Sequence, residues 1–256
     1  MRVTVLGKSP SWPDAGGACS GYLVQDGQTC ALIDCGSGVF SKLRTVFDYA
    51  AINAVVVSHM HGDHCIDLIP FACGLSYAPR DVPSRPQLHL PPGGGEQLQT
   101  LARGAGHGAD LIAGAFDLQE YDPASALAIG SLRLRFQPVP HFIPTYAVEL
   151  TSERHPERRF TYGADHCDTD ALDDFAATTD LLLLEATLAQ PEADPQASRG
   201  HMTPVQAGAL AARCDARRLV LTHLSDELDA DWALAQARSA FEGPLEVARE
   251  GTVYEV

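Results

Sequence analysis

The sequence predicts an α/β sandwich: two packed mixed β-sheets with helices on both outer faces, folded as one domain over residues 1–256. Three observations predict it. Strand-like segments open each half of the chain and strand–helix alternation follows, an order that stacks sheets and sends helices outward. The runs Ala54–Val57 and Leu181–Leu184 are short and wholly apolar, as strands buried on both faces are. Hydrophobic content of 45% with 20% charged residues supplies a sizeable core. No period of roughly 20–50 residues recurs along the chain.

In chain order, Arg2–Leu6 alternates and forms a first strand, closed by Gly7-Lys8-Ser9-Pro10. Ser11–Gly17, with Trp12, Pro13 and two glycines, is a loop. Gly21–Val24 and Cys30–Ile33 are strands joined around Asp26-Gly27, a hairpin signal. Asp34-Cys35-Gly36-Ser37-Gly38 ends the second of them. Ser41–Asp48 has helical spacing through Leu43, Val46 and Phe47. Ala54–Val57 is a buried strand, and Asp63–Ala72 continues as a helix carrying Ile66, Leu68, Ile69 and Phe71. Tyr77–Pro86, with three prolines, is a surface loop. Gln87–Leu90 is a strand, stopped by Pro91-Pro92-Gly93-Gly94-Gly95 before a helix from Glu96, and Gly104–Gly108 is a flexible connection.

The second half follows the same logic. Leu127–Val139 and Tyr146–Thr151 are strands, and Phe160–Asp165 is a strand ending on an aspartate. Asp170–Thr178 is a short helix, and Leu181–Leu184 a strand that runs into Glu185. Thr203–Cys214 is a helix with Thr203 as its cap and Pro204 in its first turn. Arg218–Thr222 is a buried strand ending on His223, Asp229–Phe241 is a helix, and Leu245–Val247 and Thr252–Val256 are the last strands.

Thirty-three acidic against 18 basic side chains give a formal charge of −15. That balance weakens long-range attraction to a polyanion, so structured nucleic acid is disfavoured as a partner. Met1–Leu6 has no long apolar core and no small-residue cleavage site, so no signal peptide is expected. No stretch approaches the roughly 18 apolar residues of a membrane span. Seven cysteines, at 19, 30, 35, 65, 73, 167 and 214 and without a Cys-x-x-Cys pair, point to reduced thiols and a cytoplasmic location.

Ser58-His59-Met60-His61-Gly62-Asp63-His64 sets three histidines and an aspartate at the end of the Ala54–Val57 strand. His59 and His61 are two apart, so in an extended or turning segment both rings can point the same way. Imidazole and carboxylate suit zinc, manganese and iron without any thiolate. The bland alternative, a polar loop, would leave these side chains unpaired at a buried strand end. His141, Asp165, Glu185 and His223 follow other strands or stand in the turns beside them, and are further candidates. Asp34 fits two roles, a turn residue or a group that orients a metal-bound histidine. Cys65 and Cys167 adjoin candidate ligands, although small buried thiols are the simpler reading. His89 is read as a satisfied strand residue, His107 and His155 as exposed loop residues.

The Ser58–His64 segment resembles the signature of the metallo-β-lactamase superfamily, and the chain resembles that fold over nearly its whole length. The resemblance implies that His59, His61 and His141 hold one metal ion, that Asp63, His64 and His223 hold another, and that Asp165 bridges them. The cofactors would be two divalent ions, zinc first, with manganese or iron also accommodated. Leu184-Glu185-Ala186-Thr187 is similar to the His-Glu-Ala-Thr element of ribonuclease Z-like phosphodiesterases, without its leading His. Gly200-His201-Met202-Thr203 is similar to their Gly-His-Ser-Thr element, with Met in place of Ser. These elements imply catalytic roles for His201 and Glu185, with Asp63 accepting the nucleophile's proton. Cyclic-nucleotide phosphodiesterases of this fold share the same seven ligands, and relatives are often homodimers.

Ribonuclease Z carries its tRNA-clamping arm between the residues corresponding to His141 and Asp165, and only 24 positions separate them here. The leading expectation is therefore a dinuclear phosphodiesterase acting on a small nucleotide substrate through a metal-bridging hydroxide. A carboxylic ester, thioester or lactone hydrolase on the same fold is the alternative. A ribonuclease Z-type tRNA 3′ endonuclease comes next, with Arg154, Arg158 and Arg159 its best support. A non-catalytic binding module comes last, because the ligand set is intact.

Overall fold

The computed structural model describes residues 1–80, 82, 84–191 and 200–256. The first half contributes β1 (Arg2–Gly7), β2 (Gly21–Asp26), β3 (Thr29–Ile33), α1 (Val39–Val46), β4 (Ala54–Val56), α2 (Gly62–Cys65), α3 (Leu68–Tyr77), β5 (Gln87–Leu90), α4 (Gly94–Gly104), α5 (Leu111–Ala115) and β6 (Asp117–Glu120). The second contributes β7 (Leu127–Ile129), β8 (Leu132–Val139), β9 (Thr145–Ser152), β10 (His155–Tyr162), β11 (Leu181–Glu185), α6 (Pro204–Arg213), β12 (Leu219–Thr222), α7 (Ala230–Arg238), β13 (Leu245–Val247) and β14 (Val253–Glu255).

Among the described residues the strands form two seven-stranded sheets, in the orders β14-β1-β2-β3-β4-β5-β6 and β13-β12-β11-β10-β9-β8-β7. In each, an antiparallel half meets a parallel half: β3 to β6 run parallel in the first, β10 to β13 in the second. The two halves of the chain thus share a topology that no sequence repeat records.

Side-chain alternation sorts the core into layers. Val3, Val5, Tyr22, Ile33 and Val56 from the first sheet join Leu134, Val148, Phe160, Leu183 and Val220 from the second in one buried cluster, so these faces meet. Their alternates point outward. Leu32, Val55, Val57 and Leu88 pack under α1, α3, α4 and α5, while Leu182, Leu184, Leu219 and Leu221 pack under α6 and α7. The order helix, sheet, sheet, helix agrees with the sandwich predicted from the sequence.

Four expectations change in detail. The helix expected over Asp63–Ala72 is two helices, α2 and α3, with Ile66 and Asp67 between them. Pro70 cannot donate to the carbonyl of Ile66 and its ring crowds that group, so no continuous helix passes this point. Leu127–Val139 is not one strand but the hairpin β7–β8, turned at Gly130, which has φ +53. The helix expected over Asp170–Thr178 is a series of turns that ends at Thr178 with φ 56, a backbone conformation that no helix contains. β6 and α5 were not anticipated, since Asp117–Glu120 lacks an apolar pattern and pairs only because β5 offers it a parallel edge. Asp81 and Pro83 of the Tyr77–Pro86 loop lie outside the described residues.

Helices α6 and α7 touch where Gly208 meets Ala237. A β-carbon on Gly208 would sit 2.4 Å from the Ala237 carbonyl oxygen. Gly208→Ala is expected to destabilise the protein by about 1–3 kcal/mol through overpacking, despite alanine's higher helix propensity. Gly104→Ala in α4, where nothing lies within 4 Å, is the control and is expected to be neutral or slightly stabilising. Denaturant midpoints for the two variants check this, and equal midpoints would remove the packing argument.

Candidate metal centre

Each candidate side chain leaves the sandwich at the same edge. β4 runs through Val57 and Ser58 into His59; β8 through Pro140 into His141; β10 through Gly163 and Ala164 into Asp165; β12 directly into His223. β3 ends at Asp34 in the same way. Asp34, Ala164 and His223 have φ of 57, 55 and 52, three of the five left-handed non-glycine residues among those described. Such backbone is costly and persists where the surroundings over-determine it, and here it turns side chains sharply off strand ends.

The structure brings all seven predicted ligands together in two groups. His59 Nε2 and His141 Nε2 each lie 3.1 Å from His61 Nδ1. Asp63 Oδ2 and Asp165 Oδ2 lie 3.2 and 3.3 Å from His223 Nε2, and 3.5 and 3.3 Å from His64 Nε2. Asp165 Oδ2 also stands 3.9 Å from His59 Nε2, between the groups. Ligand-competent atoms within each group lie within 4.8 Å of one another.

What orients the imidazoles is the hydrogen bond each makes on its far side. In the tautomer that fits, Nδ1–H of His59 donates to Ser58 Oγ (3.1 Å), that of His64 to Asp34 Oδ2 (2.7 Å), and that of His141 to the Gly200 carbonyl (2.8 Å). Nδ1–H of His223 donates to Thr187 Oγ1 (2.8 Å), whose hydroxyl donates to Glu185 Oε2 (2.8 Å). Nε2 is thereby left facing inward on all four rings. His61 alone presents Nδ1. Neutral imidazoles with outward anchors are the form in which histidine binds metal.

Asp34 takes the orienting role and not merely a turn role. It is fully buried, and its carboxylate accepts from the Ser58 amide (2.7 Å), Ser58 Oγ (2.8 Å), His64 Nδ1 (2.7 Å) and Tyr162 Oη (3.0 Å). Gly36 lets the turn after β3 press against the metal loop, since a β-carbon there would sit 1.8 Å from the Asp63 carbonyl oxygen. Cys65 does not face the cluster: its thiol donates to the His61 carbonyl (3.2 Å). Cys167 has its amide bound to the Pro140 carbonyl, which ties the Asp165 and His141 loops together.

Burial holds His59 well below the ordinary imidazole pKa, and lowers His61 and His141 as well. Burial opposes the charge on His64 too, yet Asp165 and Asp34 beside it win and push its pKa well above the usual value. Asp165 is buried, which alone would raise it, but His223 and His64 hold it well below the carboxylate range. These groups fit a divalent cation. Among the described residues His64 Nε2 and Asp165 Oδ1 are buried without a hydrogen bond, which is costly unless a cation answers the Asp165 lone pair and takes the place of the proton His64 otherwise holds.

His201 and Glu185 stand beside the cluster. His201 Nδ1 lies 2.9 Å from Glu185 Oε1 and 4.0 Å from Asp165 Oδ2. Burial works against its charge, but the hydrogen bond and charge of Glu185 raise its pKa to about 9. Glu185, fully buried, also accepts from the amides of His166 (2.8 Å) and Met202 (3.1 Å). Its two oxygens are thus taken up by His201, Thr187 and two backbone amides. The cap of α6 is Thr203, as its Pro204 neighbour predicted, so His201 is not a capping residue. Thr187, Ser58 and Tyr162 were missed as supports, because a hydroxyl carries no metal-ligand signal in sequence. His89 bonds Gln87 within its strand, as expected; His155 is exposed but opens strand β10 instead of lying in a loop, and His107 is half-buried, near Cys73.

Residues 29–224 match the family described as Beta-lactamase superfamily domain. The chain is 32% identical over 266 aligned positions to the probable metallo-hydrolase YhfI of Bacillus subtilis (strain 168), with all of both chains covered. The crystal structure of the metallo-beta-lactamase fold protein YhfI from Bacillus subtilis superposes with a TM-score of 0.87 at 29% identity, covering 100% of this chain and 99% of that one. A ribonuclease Z of Kineococcus radiotolerans is 27% identical over 93% of this chain and 88% of its own.

Asp34→Asn is expected to lower affinity for Zn²⁺ or Mn²⁺ by roughly 10–100-fold, because one acceptor of the His64 Nδ1 and Ser58 donors becomes an NH₂ group. A chelator-competition titration measures this. Unchanged affinity would reduce Asp34 to a structural turn residue.

Proposed function

The chain belongs to the β-lactamase superfamily as a metallo-hydrolase of the metallo-β-lactamase fold, and from that premise we propose that it is a dinuclear phosphodiesterase for small nucleotide substrates. The observation that carries this reading is His201, anchored through Nδ1 to Glu185 beside a seven-ligand cluster. His59, His61 and His141 would hold one divalent ion, and Asp63, His64 and His223 a second, with Asp165 shared. Zinc is the first choice for these His/Asp sites. Two such ions, when bound, make water nucleophilic near neutral pH and neutralise charge on the phosphoryl oxygens.

The chain's own residues supply the proton traffic. Asp63 takes the proton that the attacking water sheds as its oxygen bonds to phosphorus. His201 carries a proton on Nε2, the nitrogen not held by Glu185, and delivers it to the leaving oxygen as the second phosphorus–oxygen bond breaks. Glu185 keeps His201 in the protonated, correctly turned form. Thr187 links that carboxylate to His223, so the proton donor and one ligand share an anchor.

A small substrate is favoured over folded tRNA by what lies between His141 and Asp165. That interval is the β9–β10 hairpin, closed at Glu153-Arg154, with no added arm. Two of its three arginines are committed internally. Arg159 is bound to Glu149 and to the carbonyls of Phe175 and Ala177, and Arg158 pairs with Asp180 at 3.0 Å. A net charge of −15 leaves little with which to grip a large polyanion. We read the 256 residues as one domain and the cytoplasm as its place of action.

Two outcomes test this reading. With Zn²⁺ or Mn²⁺ supplied, kcat/KM is expected to be higher on cyclic AMP and on bis(p-nitrophenyl) phosphate than on a 3′-extended precursor tRNA, an aryl ester or a lactone. Efficient, position-specific cleavage of the precursor, or preference for the ester or lactone, would overturn it. His201→Ala is expected to keep about two ions per chain and lose roughly 10²–10⁴-fold in turnover on a phosphodiester. Loss of metal from that variant would make His201 a ligand or a fold element instead.

A further inference from the structure

Four members of the centre are fully enclosed: His59, His64, Asp165 and His223. His61, Asp63, His141 and His201 are only partly buried, so they form the open face through which a substrate arrives. Phe142 stands on that face. The residue is 53% exposed, and its ring centroid lies 5.1 Å from that of His141, 6.3 Å from His201 and 6.4 Å from His61. The ring planes are inclined at 53°, 76° and 58° to those imidazoles. None is a parallel stack, and with half of the residue exposed the ring can still receive another planar group.

We propose that Phe142 is the platform on which the base of a nucleotide substrate stacks while its phosphate occupies the metal centre. This rests on the phosphodiesterase reading above. A phosphodiester alone has nothing flat to offer the ring, whereas a nucleobase is planar, largely apolar on its faces, and carried a few ångströms from its phosphate. An exposed aromatic beside a charged centre gains from being covered by such a group, and stacking on it accepts any base. Both lysines of the chain are engaged elsewhere, Lys8 with Asp14 and the Leu224 carbonyl, Lys42 with Glu250, so neither is free to bind the substrate. Phe142 is thus a specificity determinant, acting on binding and not on the chemical step.

The test compares cyclic AMP with the same cyclic ribose phosphate bearing a methoxy group in place of the base. Phe142→Leu keeps an apolar side chain but no aromatic face. It is expected to raise KM for cyclic AMP by roughly 5–150-fold, the usual worth of a base stack, with kcat unchanged. The baseless compound should be unaffected, and Phe142→Trp should retain or improve the KM for cyclic AMP. Equal losses on both compounds, or no loss on either, would overturn the proposal and leave the ring as a wall of the site. A second readout is independent of turnover. Emission of the Phe142→Trp variant, measured against the wild type's Trp12 and Trp232, should be quenched by AMP and not by ribose 5-phosphate. If the wild type cleaves no phosphodiester, the catalytic reading falls while quenching still decides the platform; absence of quenching sinks the platform alone.

Discussion

Everything in the metal centre depends on how buried imidazoles are anchored from behind, and the Asp34 carboxylate is the strongest of those anchors. Four donors converge on it, from Ser58, His64 and Tyr162. A buried carboxylate is tolerated only with such company, and the same bonds fix which nitrogen of His64 faces the centre. Through Ser58 Oγ it also reaches His59. Two histidines and the first turn of the metal loop are thereby set by one side chain at the end of β3. Glu185 is its counterpart in the second half, holding His201 directly and His223 through Thr187.

These two carboxylates explain why the site lies at the edge of the sandwich. The strand interiors are occupied by apolar alternates that weld the sheets together and seat the helices, so only strand ends are free to carry polar groups. Parallel halves in both sheets bring several strand ends to one edge, as parallel α/β sheets do when they build ligand sites beyond their carboxyl ends. The left-handed backbone at Asp34, Ala164 and His223 is the local cost of turning side chains inward from that edge.

The same economy shapes the open side of the centre. Among the described residues, the β9–β10 hairpin carries no added arm, and its Arg159 and Arg158 are tied to Glu149 and Asp180. Phe142 and His201 stand together at the open face. On the phosphodiesterase reading proposed above, that combination would suit a compact anion carrying a flat, uncharged appendage.

The sequence by itself determined the sandwich and marked the Ser58–His64 cluster, because both rest on signals local in the chain; the full set of seven candidate ligands came from the family resemblance. Apolar runs of four residues, the Asp26-Gly27 hairpin and the Thr203-Pro204 cap each act within a few positions, and the Ser58–His64 cluster is contiguous. His141, Asp165 and His223 stood out only as polar residues just beyond strands, and the family resemblance was what joined them to the cluster. The break at Ile66–Asp67 that Pro70 imposes and the turn at Gly130 were readable in principle and were overridden by apolar periodicity on either side. Only the tertiary structure decided between a turn and an orienting role for Asp34, since its partners lie 24, 30 and 128 positions away. It alone showed Glu185 behind His201, Thr187 behind His223, and Phe142 over the open face. Hydroxyls, carboxylates and phenyl rings carry no spacing rule, and their roles come from what folding sets beside them.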